Sequence, residues 1–288
     1  MKEVVSFTTE LCTVNELAPQ SGTTGGLGSI WTNLWAIAGL VIKELYRRKD
    51  FYVLFILTAL ITLVLGSVNF FGDGSIIRFL KEIALLLIWG SSLVIAIVTA
   101  ARQLPMERES RTIFPLLAKP VTRSQLVLGK FLGCWLACGL TLVAFYFFFI
   151  VVCGLREHEW PLTRYFQAVT LHWFMLGVLT ALTLLGSVVF AAPSSNTTIT
   201  FVVASGVLML ARHLNKIALK LDEPLHSLVY ALYFLIPHLE LFDVRDLLIH
   251  DQGAVPWSVW AGAALYAAVY SALFLTVACW LFRRKPLT

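Results

Sequence analysis

The sequence predicts an all-α integral membrane protein with six transmembrane helices, and three observations lead there. Of 288 residues, 58% are hydrophobic and 14% charged, with 20 Phe, 9 Trp and a mean hydropathy of +0.81. A soluble domain runs at about half apolar and about a quarter charged, so this chain lacks the polar surface to coat a globule, and an ordinary soluble enzyme is excluded. Second, a hydrocarbon core about 30 Å thick needs roughly 20 apolar residues at 1.5 Å each, and six uncharged stretches meet that need: 51–71, 83–101, 131–155, 168–192, 193–211 and 255–282. Third, with the N-terminus inside, 14 Lys and Arg fall on the cytoplasmic side and 8 outside, and the outer segments carry ten of the seventeen acids. That asymmetry places both termini in the cytoplasm of a cell (inner) membrane protein. It also accounts for the net charge of +5, so no nucleic-acid partner is inferred from it.

Residues 1–30 are rich in Ser, Thr and Gly and contain no apolar core of a signal peptide. They are expected to form a disordered cytoplasmic tail, with the membrane domain covering 31–285. From Asn33 to Lys49, Leu34, Ile37, Ala38, Val41, Ile42 and Leu45 recur at helical spacing, the stripe of an amphipathic helix. Lys43, Glu44, Arg47 and Arg48 lie off the stripe, and Trp31 and Trp35 suit the headgroup level. An interfacial helix is predicted, turning into the first span at Arg47–Asp50.

The fourth and fifth spans nearly touch at Ala192-Pro193-Ser194-Ser195-Asn196, which predicts a tight turn and a helical hairpin. Farther on, Leu225 to Phe242 looks apolar, but Pro237, His238 and Glu240 cut it to Leu225–Ile236. A dozen residues are too few to span, so a short re-entrant or interfacial outer helix is expected before span six.

Between spans two and three, Arg102 to Lys130 forms a polar cytoplasmic segment with structure of its own. Pro105 ends the second span, and a helix restarts at Met106 with Glu107 and Glu109 near its positive end. Arg108 and Arg111 share one face, Lys119-Pro120 breaks the chain, and Thr122 with Gln125 makes a T-x-x-Q capping box that starts the next helix. Two short helical pieces, hinged at a proline, are thus joined to two spans.

The same segment resembles the signature of ABC-2 type transporter permeases. The residues are Glu107 to Thr112, then Leu116-Leu117-Ala118-Lys119-Pro120-Val121-Thr122-Arg123, then Gly129-Lys130-Phe131. Arg111 stands where many members carry glycine. Pro237 to Asp243 is similar to the family's outer segment before the last span, so the resemblance covers residue 31 onward. It implies a permease subunit, in a homodimer or beside a related permease, served by two copies of a separate ABC ATPase subunit. It also implies that the surface helix and the loop form the ATPase-subunit coupling interface. That role carries over to Lys43, Glu44, Arg47 and Arg48, and to Glu107, Arg108, Glu109, Arg111, Thr112, Lys119 and Arg123.

Other motifs lead elsewhere or nowhere. A phosphate-cradling loop needs G-x-x-x-x-G-K-[ST], and here Phe131 follows Gly129-Lys130. The chain is therefore expected to be no enzyme and to bind no cofactor, with ATP and Mg held by the partner ATPase. His158-Glu159 begins a zinc string, but Leu162 stands where the second histidine belongs, so no metal is expected. His172, within a span, is expected to make a helix–helix hydrogen bond. The Asn196-Thr197-Thr198 sequon falls on the inner side. Gly129, Gly133 and Ala137, and again Ala264, Ala268 and Ala272, repeat at four-residue spacing, which lets helices approach closely.

The expected function is ATP-driven export: the chain forms the membrane path, and the partner's hydrolysis drives substrate through it. The alternative keeps the assembly without a cargo and has it transmit motion to an extracytoplasmic accessory protein, for which Arg212 to Gly253 offers a surface.

Overall fold

The computed structural model describes residues 27–47, 49–67, 73–109, 122–158, 160–218, 236–250 and 253–284. Among them every regular element is helical: α1 (Leu27–Tyr46), α2 (Lys49–Ser67), α3 (Asp73–Arg102), α4 (Pro105–Glu109), α5 (Arg123–Glu157), α6 (Leu162–Val189), α7 (Pro193–Ala218), a 3₁₀ turn (Leu239–Phe242), α8 (Arg245–Ile249) and α9 (Trp257–Arg284). Four described stretches are long and apolar enough to cross a membrane, namely Ile77–Glu107, Arg123–Glu157, Leu162–Val189 and Trp257–Arg284, with a shorter apolar helix at Tyr52–Val64.

Local chemistry sets the helix ends. Pro105 opens α4, where its missing N–H is no loss. Thr122 caps α5: its Oγ1 accepts from the Gln125 N–H at 3.3 Å, and Gln125 Oε1 accepts from the Thr122 N–H at 3.0 Å. The reciprocal pair satisfies two orphan donors and commits the chain to a 35-residue helix. At the far end of α5, His158 adopts a left-handed φ of 57° and its N–H closes on the Gly154 carbonyl at 3.0 Å.

Several boundaries differ from expectation: α1 begins at Leu27 where the amphipathic stripe starts at Asn33, α7 runs on to Ala218, and two others have a visible cause. α3 begins at Asp73, ten residues before the uncharged stretch at Ile83. Lys81 can stay helical there because its ammonium pairs with Glu157 of α5 at 2.6 Å. The turn between the fourth and fifth spans lies at Phe190–Ala192, whereas Pro193 to Asn196 already form the first turn of α7. Proline favours the first helical position. Asn196 is wholly buried, donating to the Thr183 carbonyl at 3.1 Å and accepting from Thr200 at 3.2 Å.

α6 is the central rod, packed on α3, α5, α7 and α9. Of its apolar window 67% is buried, against 22% for α9, which presents one face to α6 and α5 and leaves the rest open. The expected outer helix at Leu225–Ile236 falls, but for its last residue, outside the described residues. The stretch from Pro237 to Ile249 turns inward. Leu239, Phe242, Leu248 and Ile249 are buried in the main core, and the His238 N–H donates to the Tyr266 hydroxyl at 2.8 Å. Tyr266 is nine residues into α9, about 14 Å from its start at 1.5 Å per residue. The segment is thus folded against α9 and the main core.

Candidate functional site at the loop end of α5

The end of the bundle that carries α1, α4 and the C-terminus of α9 converges on the first four turns of α5. α1 arrives through the small residues. A Cβ on Gly129 would lie 2.9 Å from the Ile37 Cβ, and one on Gly133 would lie 2.7 Å from the Val41 Cβ and 2.9 Å from the Ala38 Cα. Only glycine admits α1 this closely, so the stripe of Gly129 and Gly133 receives a helix of its own chain. Ala137 continues the stripe into the core, 1% exposed. Leu34, Ala38, Val41 and Leu45 are buried, while Trp35, one turn from Trp31, stays 61% exposed. α1 thus has one apolar face on the bundle and an aromatic flank left open.

The second arrival is ionic. Lys130, 4% exposed, spends its three donors on the Gln103 carbonyl at 3.1 Å, Gln103 Oε1 at 3.0 Å and Glu107 Oε1 at 2.7 Å. A buried ammonium is costly unless paired and fully hydrogen-bonded, and here it is. The latch binds the end of α3, the turn after it and α4 to α5. Glu107 is only half satisfied, because its Oε2 is buried without a hydrogen-bond partner.

The third arrival is the end of α9. The Arg123 guanidinium donates to the carbonyls of Phe282 at 3.1 Å and Arg283 at 3.3 Å, and Arg283 Nε donates to Ser124 Oγ at 3.2 Å. A helix C-terminus leaves carbonyls unpaired and negative, and a cation from α5 answers both needs. Beneath these contacts, Val41, Ala100, Leu104, Leu126, Phe131 and Phe282 share one apolar cluster.

The predicted coupling residues therefore divide. Lys43 and Glu44 are exposed on α1, and Arg47 is exposed just past its end. Glu107 and Arg123 turn inward to the latch and to α9. Arg108 and Glu109 belong to α4 by their backbone, but their side chains lie outside the description; Arg48, Arg111, Thr112 and Lys119 lie outside the described residues altogether. Sequence reasoning missed Lys130 and Gln103. The available signal was that Lys130 is the one charged residue between Gln125 and Arg156, and a lone ion in an apolar run must find a partner.

Deeper in the bundle, α5 and α6 clasp each other. Trp135 Nε1 donates to the Trp173 carbonyl at 3.0 Å, and Trp173 Nε1 donates to the Trp135 carbonyl at 2.9 Å. The indoles stack at 4.4 Å, each over the other helix's glycine, Gly177 and Gly139. Above them His172 Nε2 meets Ser92 Oγ at 2.8 Å and its Nδ1 meets the Tyr146 hydroxyl at 3.4 Å, the helix–helix bonding expected of it. Ala264, Ala268 and Ala272 line an apolar groove of about 310 Å³ with Phe131, Trp135 and Phe174, so this stripe leaves space where its spacing predicts close packing.

At the opposite end, Arg245 grips Asp243 through two hydrogen bonds, at 2.8 and 2.9 Å, and lies 4.7 Å over the Trp89 ring. The bond to Asp243 raises the guanidinium pKa against the opposing effect of partial burial. Among the described residues no group of three or more His, Cys, Asp or Glu is placed to hold a metal.

A family model described as ABC-2 family transporter protein matches residues 35–287. No curated protein matches the chain.

Proposed function

The chain belongs to the ABC-2 transporter protein family, and from that premise we propose that it acts as one of two six-span permease chains through which a separate ABC ATPase drives export. α2 and α7 supply the two spans beyond the four long apolar stretches. The ATPase holds ATP and Mg, the permease holds neither, and the loop end of α5 faces the cytoplasm where that partner docks.

The carrying observation is the Lys130 latch. A ligand or partner shifts an equilibrium only through contacts that differ between two states. Closure of the ATPase changes the contacts of α4, and α4 is bonded to α5 through Glu107 and Lys130 at 2.7 Å. Displacement of a five-residue helix is thereby delivered to a 35-residue rod. The spans carry few ionisable groups, which favours a lipidic, amphipathic or protein-like cargo over a small ion.

The alternative, transmission of motion to a protein on the outer face, draws on the segment from Pro237 to Ile249. Its hydrogen bond to Tyr266 and its guanidinium on Trp89 tie that face to α9 and α3. One experiment serves both readings. In vesicles holding chain and ATPase, Glu107→Ala with Arg108→Ala is expected to cut solute uptake and chain-stimulated ATP hydrolysis together, with membrane insertion unchanged. Unaltered coupling overturns the latch as the route from the ATPase to α5. Wild-type hydrolysis without movement of any solute tried favours mechanical transmission.

A further inference from the structure

We propose that the apolar groove between α5, α6 and α9 holds an acyl chain of an anionic phospholipid, whose phosphate sits on Arg283 at the loop end. The site needs the bilayer but not the ATPase, so it reaches beyond the permease reading.

The groove has two unlike walls. On one side four rings stack in series: Phe131 on Trp135 at 5.8 Å, Trp135 on Trp173 at 4.4 Å, and Trp173 on Phe174 at 6.2 Å. Both indole N–H groups are spent on backbone carbonyls, so this wall is fixed in place. On the other side α9 offers Ala264, Ala268 and Ala272, of which Ala268 and Ala272 are exposed. The groove therefore opens sideways, toward the hydrocarbon layer. An apolar hollow takes no water, and one open to a bilayer is filled by hydrocarbon. A volume of about 310 Å³ drawn out from Ala264 to Leu275, about 17 Å of helix at 1.5 Å per residue, takes one extended chain. A helix of that length, about 10 Å across with its side chains, is several times too large.

Both edges of the groove lead to a cation. Ala268, Ala272, Cys279 and Arg283 fall at i, i+4, i+11 and i+15, on one side of α9. Facing them, Ser124, Leu128, Phe131 and Trp135 fall at i, i+4, i+7 and i+11 on α5. Arg283 Nε donates to Ser124 Oγ at 3.2 Å, which joins the two edges at the loop end. Among the described residues that is the one hydrogen bond of the Arg283 side chain, and both terminal nitrogens remain for a ligand. A guanidinium meets a phosphate with paired, charge-assisted donors. The lengths agree as well. Trp135 lies eleven residues in from Ser124, and Ala272 eleven from Arg283, about 17 Å along each helix. One leaflet is half of a core about 30 Å thick, so a chain hung from a phosphate at Arg283 ends beside Trp135 and Ala272.

The test uses the full chain in phosphatidylcholine vesicles with a trace of a lipid bearing a diazirine near the end of its tail. The probe carries either a phosphatidylglycerol or a phosphatidylcholine head, and adducts are mapped by mass spectrometry. The phosphatidylglycerol probe is expected to label α5 around Trp135 and α9 around Ala268 roughly five-fold more, the effect of one cation near an anionic headgroup. Arg283→Gln is expected to abolish that preference. Arg284→Gln removes the same charge one residue on, where the guanidinium lies 3.9 Å over the Trp280 ring, and is expected to keep it. Ala268→Leu with Ala272→Leu fills the groove and is expected to remove the adducts of both probes. Should that variant fail to fold, the labelling of the native sequence still decides. Equal labelling by both probes, adducts that avoid the groove (as when a second copy covers it), or a preference lost equally in both arginine variants overturns the site. Each of these leaves the permease reading standing.

Discussion

Lys130 illustrates how much one side chain can hold. Its three hydrogen bonds, to Gln103 twice and to Glu107, leave the ammonium saturated and 4% exposed. Removing one partner of a buried ion pair strands the other, at a cost of about 3–5 kcal/mol. Lys130→Met is therefore expected to lower the unfolding midpoint sharply in detergent. Adding Glu107→Gln neutralises the stranded carboxylate and should restore most of the loss, since an apolar or neutral replacement of a buried pair is often nearly neutral. A double variant as unstable as the single one would show that the two residues do not act as a pair. The sequence announces the ion, alone in an apolar run, but not its partner. Gln103 lies 27 residues away, beyond a loop whose path no periodicity reveals. Asn196 gives the reverse lesson: a small polar residue beside proline reads as a turn, yet it is a buried tie between α6 and α7.

Helices are legible where apolar period or a cap marks them, and poorly so where charge interrupts them. The stripe of α1 and the capping box of α5 are both plain from residue type and spacing, and both appear in the structure. The first ten residues of α3 are not, because an uncharged-run criterion measures the hydrocarbon layer and stops at Lys81 and Glu82. The helix continues past them, since Lys81 reaches Glu157. The destination of the Gly129–Gly133 stripe is also hidden: small residues say that some helix comes close, never which. Knowing that it is α1 makes a prediction. Gly133→Leu puts a side chain where a Cβ alone would meet Val41 at 2.7 Å, and so lifts α1 from α5. Trypsin is expected to cut after Lys43 and Arg47 much faster than in the native chain, with the spans still inserted. Unchanged cleavage would mean that α1 is held by something other than this seat.

From Asn33 onward, the described helices gather at one end of α5. α1, α4 and the tail of α9 meet the same four turns of α5, by shape, by charge and by helix capping respectively. The clasp with α6 then ties that gathering point to the central rod. Composition and hydropathy foretell the membrane and the family signature foretells the class; the convergence itself is a property of the fold. The claim that this end receives the ATPase can be put to one direct measurement. A photoreactive amino acid is placed in turn at Met106 of α4, 47% exposed, and at Leu241 of the 3₁₀ turn, 53% exposed, in the chain assembled with its ATPase. Irradiation is predicted to give a covalent adduct with the ATPase from Met106 and none from Leu241. An adduct from Leu241, or the absence of one from Met106 in an assembly that still hydrolyses ATP in a chain-dependent way, would contradict the account.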